Sequence, residues 1–513
     1  MATPLNRINF PEILLGFVAP IGANLEAAVQ EFRRFFKEVD YNVVTVKVTD
    51  AFRPLADRLR PVEPLDHTPK RYERFRSYIA YGNQIRSHFD DDAVLASIAC
   101  AKIVGARIRT NQSDKDKPQR NVYLIHQFKR KEEVDLLRSV YGRVFFQVSI
   151  YSRRGARVDH LARQFAHAEN DSNHNRCRPK AEDIVQIDES EGGAGHGQQV
   201  SAIFHDADVI INSDEGHDSV RKQIRRFCEL LFGSNSISPT RNEYGMFAAK
   251  SAALRTLDLS RQVGAAIFTE QGEIISLGSN EVPKGLGGTY WAESAGGFDD
   301  RDYVRGRDSN EQMKQERLKE ILKIIDIQDP EAVMSRQEVR KSQFMDVLEY
   351  SRIIHAEMSA LCDAARLGLA LRGAHLFCTT FPCHICAKHI IASGIAKVVF
   401  LEPYPKSMTS DLHADAVLIE GGDRGRYQHY PYVEFNHFHG ICPRRYRELF
   451  ERTRRKDEEG NFVQWNQDNV ARPIIDLKFP FYMTLEGEVL KHLDTYLRSL
   501  NLSIEQLDPA VQA

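Results

Sequence analysis

Two short stretches constrain this chain more than any others: "SRIIHAEMSALCDAARLG", which begins at Ser351, and "TTFPCHICAKHIIASG", which begins at Thr379. If His355, Cys383 and Cys386 are to hold one ion, two separated segments must meet in space. Strong helix formers follow His355, and Pro382 stands where proline is welcome, at or just before the first turn of a helix. Cys383 and Cys386 then fall at i and i+3 on one helix face, so that both sulfurs can reach the same ion. The strand-like "AHLFCTT" lies between, which gives the order helix, strand, helix.

One His and two Cys suit tetrahedral Zn2+ with a fourth position left for water, the pattern of catalytic zinc. Zinc lowers the pKa of that water toward about 7. Glu357, two residues from the ligand, is placed to take a proton and deliver it to a leaving group. The product of such a site is hydrolysis at an electrophilic carbon, and with an amidine-like ring carbon ammonia leaves. His-x-Glu followed by Pro-Cys-x-x-Cys is the signature of zinc nucleobase deaminases. His384 and His389 lie on other faces of the Cys helix. A second zinc shared with His174 and Cys177 is the weaker reading of those residues.

Length and patterning divide the chain. At 513 residues it exceeds one typical core. Residues 1–235 read as alternating strands and helices, the pattern of a parallel sheet covered by helices. Within them, 168–199 is polar and Gly-rich, and reads as a mobile, lid-like insertion. A boundary is expected near 234–240, then a second α/β domain over 241–455 with a β-hairpin in "QVGAAIFTEQGEIISLGSNEV", and a C-terminal extension over 456–513. The net charge of -2 argues weakly against a polynucleotide partner. No apolar run approaches the roughly 18 residues that would cross a bilayer, and the N-terminus lacks the features of a secretory signal. The chain is therefore read as cytoplasmic, with no membrane partner and with its eight cysteines kept as thiols or metal ligands.

The loop "GFVAPIGANLEAA" occupies the place of a phosphate-binding loop between first strand and first helix. A functional loop of this type reads GxxxxGK[ST]. Here Gly16 and Gly22 are one residue too far apart, and Ala23 and Asn24 replace the Lys and the hydroxyl. Amides at a helix N-terminus can still hold a phosphate, so Gly16, Gly22, Ala23 and Asn24 are candidates for nucleotide binding, with Mg2+ accompanying any triphosphate. A purely structural role is the equal alternative.

The segment "LDLSRQVGAAIFTEQGEIISLGSNEVPKG" resembles the first strands of deoxycytidylate deaminases. By that resemblance Asn280 reads the sugar hydroxyl, and Arg261 joins the substrate-binding set. In "PYPKS", Tyr404 offers a ring to pack on base or sugar and Lys406 a phosphate contact. With "FKRKEEVDLLRSVYG", "DADVIINSD" and "GICPRRYRELF", the whole resembles the bacterial anti-phage dCTP deaminases, in which a degenerate P-loop nucleotide-kinase-like domain precedes a cytidine-deaminase-like α/β/α zinc domain. The resemblance implies deamination of dCTP, and often dCMP, draining the pool that phage replication needs. It also implies homo-oligomers and, in toxin-antitoxin arrangements, repression by a small RNA. A housekeeping dCMP deaminase, a polynucleotide cytosine deaminase and a nucleotide-sensing regulator are the alternatives.

Overall fold

The computed structural model describes residues 7–110, 119–189, 199–294, 298–403, 407–452, 454–465 and 470–507. The chain forms two α/β units, the first of residues 1–239 and 439–513 and the second of residues 240–438.

In the first unit, the apolar run after Glu12 becomes β1 (Ile13–Val18), buried along its whole length, as a strand covered on both faces must be. With β2 (Asn42–Lys47), β3 (Asn121–His126), β4 (Phe145–Tyr151) and β5 (Val209–Asn212) it makes a parallel sheet in the order β5-β4-β1-β3-β2. The two-residue strand Gly440–Ile441 adds antiparallel to β5. The helix α1 (Leu25–Glu38) starts at Asn24, whose side chain accepts from Ala27 N, as an N-cap should. Its Phe32 packs edge-on against Phe17 of β1 at 5.7 Å between ring centres.

The expected phosphate loop is spent on internal contacts. Gly16 lies within β1, where the Phe145 ring leaves no room for a Cβ, and Gly22 takes a positive φ of 89° with the Arg157 carbonyl oxygen 2.8 Å from where a Cβ would sit. Ile21 N donates to Asp188 Oδ2 at 2.6 Å. Asp188 also accepts from Lys129 Nζ at 2.7 Å, and Lys129 Nζ donates to the Ala19 carbonyl at 2.9 Å. A carboxylate of the chain itself thus meets an amide of this loop.

Two expectations are corrected here. Of the expected lid 168–199, the described part 168–189 is not loose: α3 (Arg154–Glu169) and α4 (Arg178–Glu189) form helices, and Ala181, Ile184 and Val185 pack with Ile21, Val158 and Phe165. Those three apolar residues are a helical stripe at i, i+3 and i+4, but charged neighbours dilute it below what composition reveals. Residues 190–198 lie outside the described ones. Nor do 439–455 complete the second domain, or 456–513 stand apart as an extension. Fully buried Asp208 accepts from Gln147 N at 2.7 Å and from Arg445 Nε at 3.1 Å. Arg107, on α2 (Val94–Thr110), lies between Glu12 at 2.7 Å and Glu486 at 2.6 Å, the latter from the helix Tyr482–Ser499. Buried charges require such partners, so these C-terminal residues belong to the first unit's core.

The second unit is a mixed sheet in the order β10-β11-β9-β8-β6-β7. The expected hairpin is β6 (Gly264–Phe268) with β7 (Ile274–Ser279), followed by β8 (His375–Thr380), β9 (Lys397–Glu402), β10 (Val417–Ile419) and β11 (Val433–His437). The last four are mutually parallel, and β6 runs antiparallel to β7 and β8. Two glycines let helices touch strand backbone. A Cβ on Gly264 would sit 1.9 Å from Ala249 O of α6 (Arg241–Ala253), and one on Gly278 would sit 2.1 Å from Ala356 O. Gly278 pairs with Ala265, the neighbour of Gly264, so the two glycines face opposite sides of the sheet. Among the described residues no helix is long and apolar enough to cross a membrane.

Candidate active site

Two helix N-termini meet beside β8. His355 is the N-cap of α8 (Ala356–Leu367), and Cys383 is the N-cap of α9 (His384–Ala392). The segment entering α8 is fixed by a bridge between Ile354 and Glu281, just past β7, and the close approach at Gly278 sets the depth of Ala356. As a result His355 Nδ1 lies 3.4 Å from Cys383 Sγ and 3.3 Å from Cys386 Sγ.

A tetrahedral zinc with ordinary Zn–N and Zn–S lengths would separate N from S by about 3.6 Å. The observed spacing is within a few tenths of an ångström of that, and the donor set is soft and borderline, so the residues fit Zn2+. Among the described residues these three form the group whose donor atoms, all within 4.8 Å of one another, could hold a metal. His174, Cys177, His384 and His389 do not join it.

Helix N-termini favour negative charge. Hydrogen bonding from Cys386, supported by His355, pulls the Cys383 thiol down to about 4 against its burial. Cys386 is held well above the ordinary thiol range by Cys383 and by burial; holding zinc would require both sulfurs as thiolates. Glu357, in the first turn of α8, is 5% exposed. Burial pushes its carboxyl above the ordinary value while His355 pulls the other way. A carboxyl whose proton affinity is raised in this way is suited to taking up and passing on a proton.

His355, Glu357 and Cys383 open onto a cavity of about 470 Å³, which Asn280, Arg261 and Lys314 also line. That volume is in the range of small-ligand sites. Asn280 is buried, and its side chain is already engaged: Oδ1 accepts from Val263 N at 2.7 Å, while Nδ2 donates to Asp258 Oδ2 at 2.5 Å and to Arg261 O at 2.8 Å. One lone pair of Oδ1 is left over. Arg261 is half-exposed and donates to Glu402 Oε1 at 2.9 Å. Tyr404 and Lys406 lie outside the described residues. Of the expected set, the structure therefore brings His355, Glu357, Cys383, Arg261 and Asn280 to one cavity, with Cys386 beside His355 and Cys383.

Residues 239–402 match the family described as the cytidine and deoxycytidylate deaminase zinc-binding region. The match falls almost wholly within the second unit. Deoxycytidylate deaminase of Enterobacteria phage T4 is 48% identical over 54 residues, 10% of this chain and 28% of the phage protein. A probable deoxycytidylate deaminase of Drosophila melanogaster is 27% identical over 187 residues, 35% of this chain and 70% of the fly protein. The dCMP deaminase of cyanophage S-TIM5, solved with dCMP and dUMP, is 18% identical, with a TM-score of 0.22 over 39% of this chain and 98% of its own. The chain thus spans under a third of the length of the phage T4 relative.

The sequence did not single out Asp258, Asn310 and Lys314, which also line the cavity. Asn310 and Lys314 are four apart on the charged helix α7 (Ser309–Ile324), which places them on one face. Nothing in their composition says that this face is turned inward.

Proposed function

We propose that this protein hydrolytically deaminates the cytosine of deoxycytidine nucleotides, dCMP and dCTP, to the uracil nucleotides. The observation that carries the reading is the convergence of His355, Cys383 and Cys386, the first two of which line one cavity together with buried Glu357, within a segment that matches the deaminase zinc-binding region. Zinc held by the three ligands supplies a water acidified enough to attack at neutral pH. The chain's own residues do the rest. Glu357 takes the proton of the attacking water on its carboxylate and passes it to the departing amino group. Asn280, fixed by Val263, Asp258 and Arg261, offers its remaining lone pair to the sugar hydroxyl. Burial around Glu357 keeps bulk water from competing for that proton.

The fused first unit favours a role in depleting dCTP against phage over thymidylate supply, because supply needs only the second unit. We read that first unit as nucleotide-kinase-like by its parallel sheet and its strand, loop and helix at 13–38, with Tyr404 and Lys406 completing the substrate site of the second. The loop lacks the Lys and hydroxyl of phosphoryl transfer, and Asp188 already engages Ile21 N; catalysis is assigned to the zinc site alone, with Mg2+ only as the companion of a triphosphate. By the same resemblance the protein works as a homo-oligomer and, if organised as a toxin-antitoxin pair, is restrained by a small RNA.

The test is ammonia release with product chromatography, offering zinc-loaded protein dCTP, dCMP, CTP and a cytosine-containing oligonucleotide. Turnover of dCTP is expected. Turnover of dCMP alone would return the protein to nucleotide supply, and turnover of the oligonucleotide alone would replace the free-nucleotide reading.

A further inference from the structure

Between β7 and α8 the chain makes a long excursion that sequence patterning left without a role. Both ends are fastened. Arg301 donates to Glu281 Oε2 at 3.3 Å near the entry, and Arg352 donates to Asp302 Oδ1 at 3.1 Å near the exit. In between, Asn310 Nδ2 donates to Val347 O at 2.9 Å while its Oδ1 accepts from Tyr350 N at 3.2 Å. The excursion is therefore tied to the segment that leads into His355, and the face of α7 bearing Asn310 and Lys314 becomes a wall of the zinc cavity.

Lys314 is the informative residue of that wall. Its side chain is 9% exposed, and a buried ammonium has to be partnered. Nζ donates to Met345 O at 2.6 Å and pairs with Glu311 Oε2 at 2.9 Å. An ammonium has three donors, so one remains. The carboxylates lining the same cavity are taken up locally: Asp258 accepts from Asn280 and from Ser260 N at 2.9 Å, and Asp308 caps α7 by accepting from Glu311 N at 2.8 Å. Among the described lining residues, the basic side chains besides the candidate metal ligand His355 are Arg261 and Lys314, and Arg261 is paired with Glu402. A phosphate entering beside three carboxylates, Asp258, Asp308 and Glu357, needs a cation held in place, and Lys314 is held by two partners before any ligand arrives.

We propose that Lys314 is a specificity-determining residue that recognises the phosphate of the substrate and so restricts the site to nucleotides over nucleosides. The identity of the ligand rests on the deoxycytidine-nucleotide reading above; the recognition of phosphate rests on the cavity wall.

The test is binding of dUMP and of deoxyuridine to zinc-loaded full-length protein, measured by calorimetry so that no turnover is needed. Replacing a charge-assisted hydrogen bond in a buried site is expected to weaken dUMP about 10- to 100-fold in Lys314→Gln, with deoxyuridine changed less than about threefold and with dUMP affinity largely restored in Lys314→Arg. Glu311→Gln supplies an independent reading on a half-exposed residue: it frees the ammonium from its carboxylate and should tighten dUMP about two- to fivefold while leaving deoxyuridine alone. Equal weakening of both ligands in Lys314→Gln, no change in either, no restoration by Arg, or weaker dUMP binding in Glu311→Gln would each overturn the proposal, as would wild-type protein that does not bind dUMP at all. Selective loss of dUMP in a protein that releases no ammonia from any cytosine compound would leave Lys314 as a phosphate-recognition residue and remove the deamination reading.

Discussion

Glu357→Gln separates the proton carrier from the metal site. Glutamine keeps the size and the hydrogen-bonding oxygen of the side chain but cannot carry a proton, so the loss should match that of a positioned acid–base group, about 10²- to 10⁴-fold in kcat, or about 2.7 to 5.4 kcal/mol in the barrier. Metal binding should be untouched, because Glu357 is not among the three residues that could hold the ion, His355, Cys383 and Cys386. Stability should hold or rise. Burial raises the Glu357 carboxyl, so above the ordinary carboxylate range the ionised form is less favourable in the folded than in the unfolded state, and an amide removes that penalty. The assay is threefold: ammonia release at saturating substrate, zinc per chain by atomic spectroscopy, and a thermal melt. A kcat within tenfold of the wild type, with zinc retained, would refute Glu357 as the proton carrier. Loss of zinc would refute the separation of roles.

Cys383→Ala should lose both zinc and turnover, read by the same metal analysis, since two remaining ligands do not make a tetrahedral site. Gly278→Ala places a methyl 2.1 Å from Ala356 O, which must push the start of α8 away; we expect a destabilisation of about 3 kcal/mol and at least a tenfold loss of zinc affinity by chelator competition. Glu486→Gln leaves Arg107 with Glu12 alone in a buried site and should cost about 3 kcal/mol in urea unfolding. His126 is pushed down to about 4 by burial, with Lys47 adding to the effect. Its folded value lies below the unfolded 6.5, so its contribution is complete above pH 6.5 and is lost as pH falls from there to about 4, about 3 kcal/mol in all; His126→Phe should flatten that part of the stability profile.

The two unforeseen strands show what a linear reading misses. In β11, Val433, Phe435 and His437 are buried and alternate with half-buried residues, a period-two signal that was present but short, and β10 has three residues. The deceptive stretch at 168–189 failed for the opposite reason: its charges are real, yet three apolar residues on one helix face suffice to seat it.

The sequence by itself marked the candidate metal group, because ligand type and spacing are properties of short segments: His355, Cys383 and Cys386, with Glu357 two residues from the first, could be singled out before any fold was known. It also determined the alternation of strand and helix in the first unit and the hairpin of the second, through apolar periodicity. Only the tertiary structure decided that residues after 438 return to the first unit through Asp208 and Arg107, that Asp188 engages the first loop, and that Lys314 turns inward to the cavity. Each of those facts is a pairing between residues far apart in the chain. A lone charge in a sequence is the same letter whether it faces water or a buried partner, and only folding shows which.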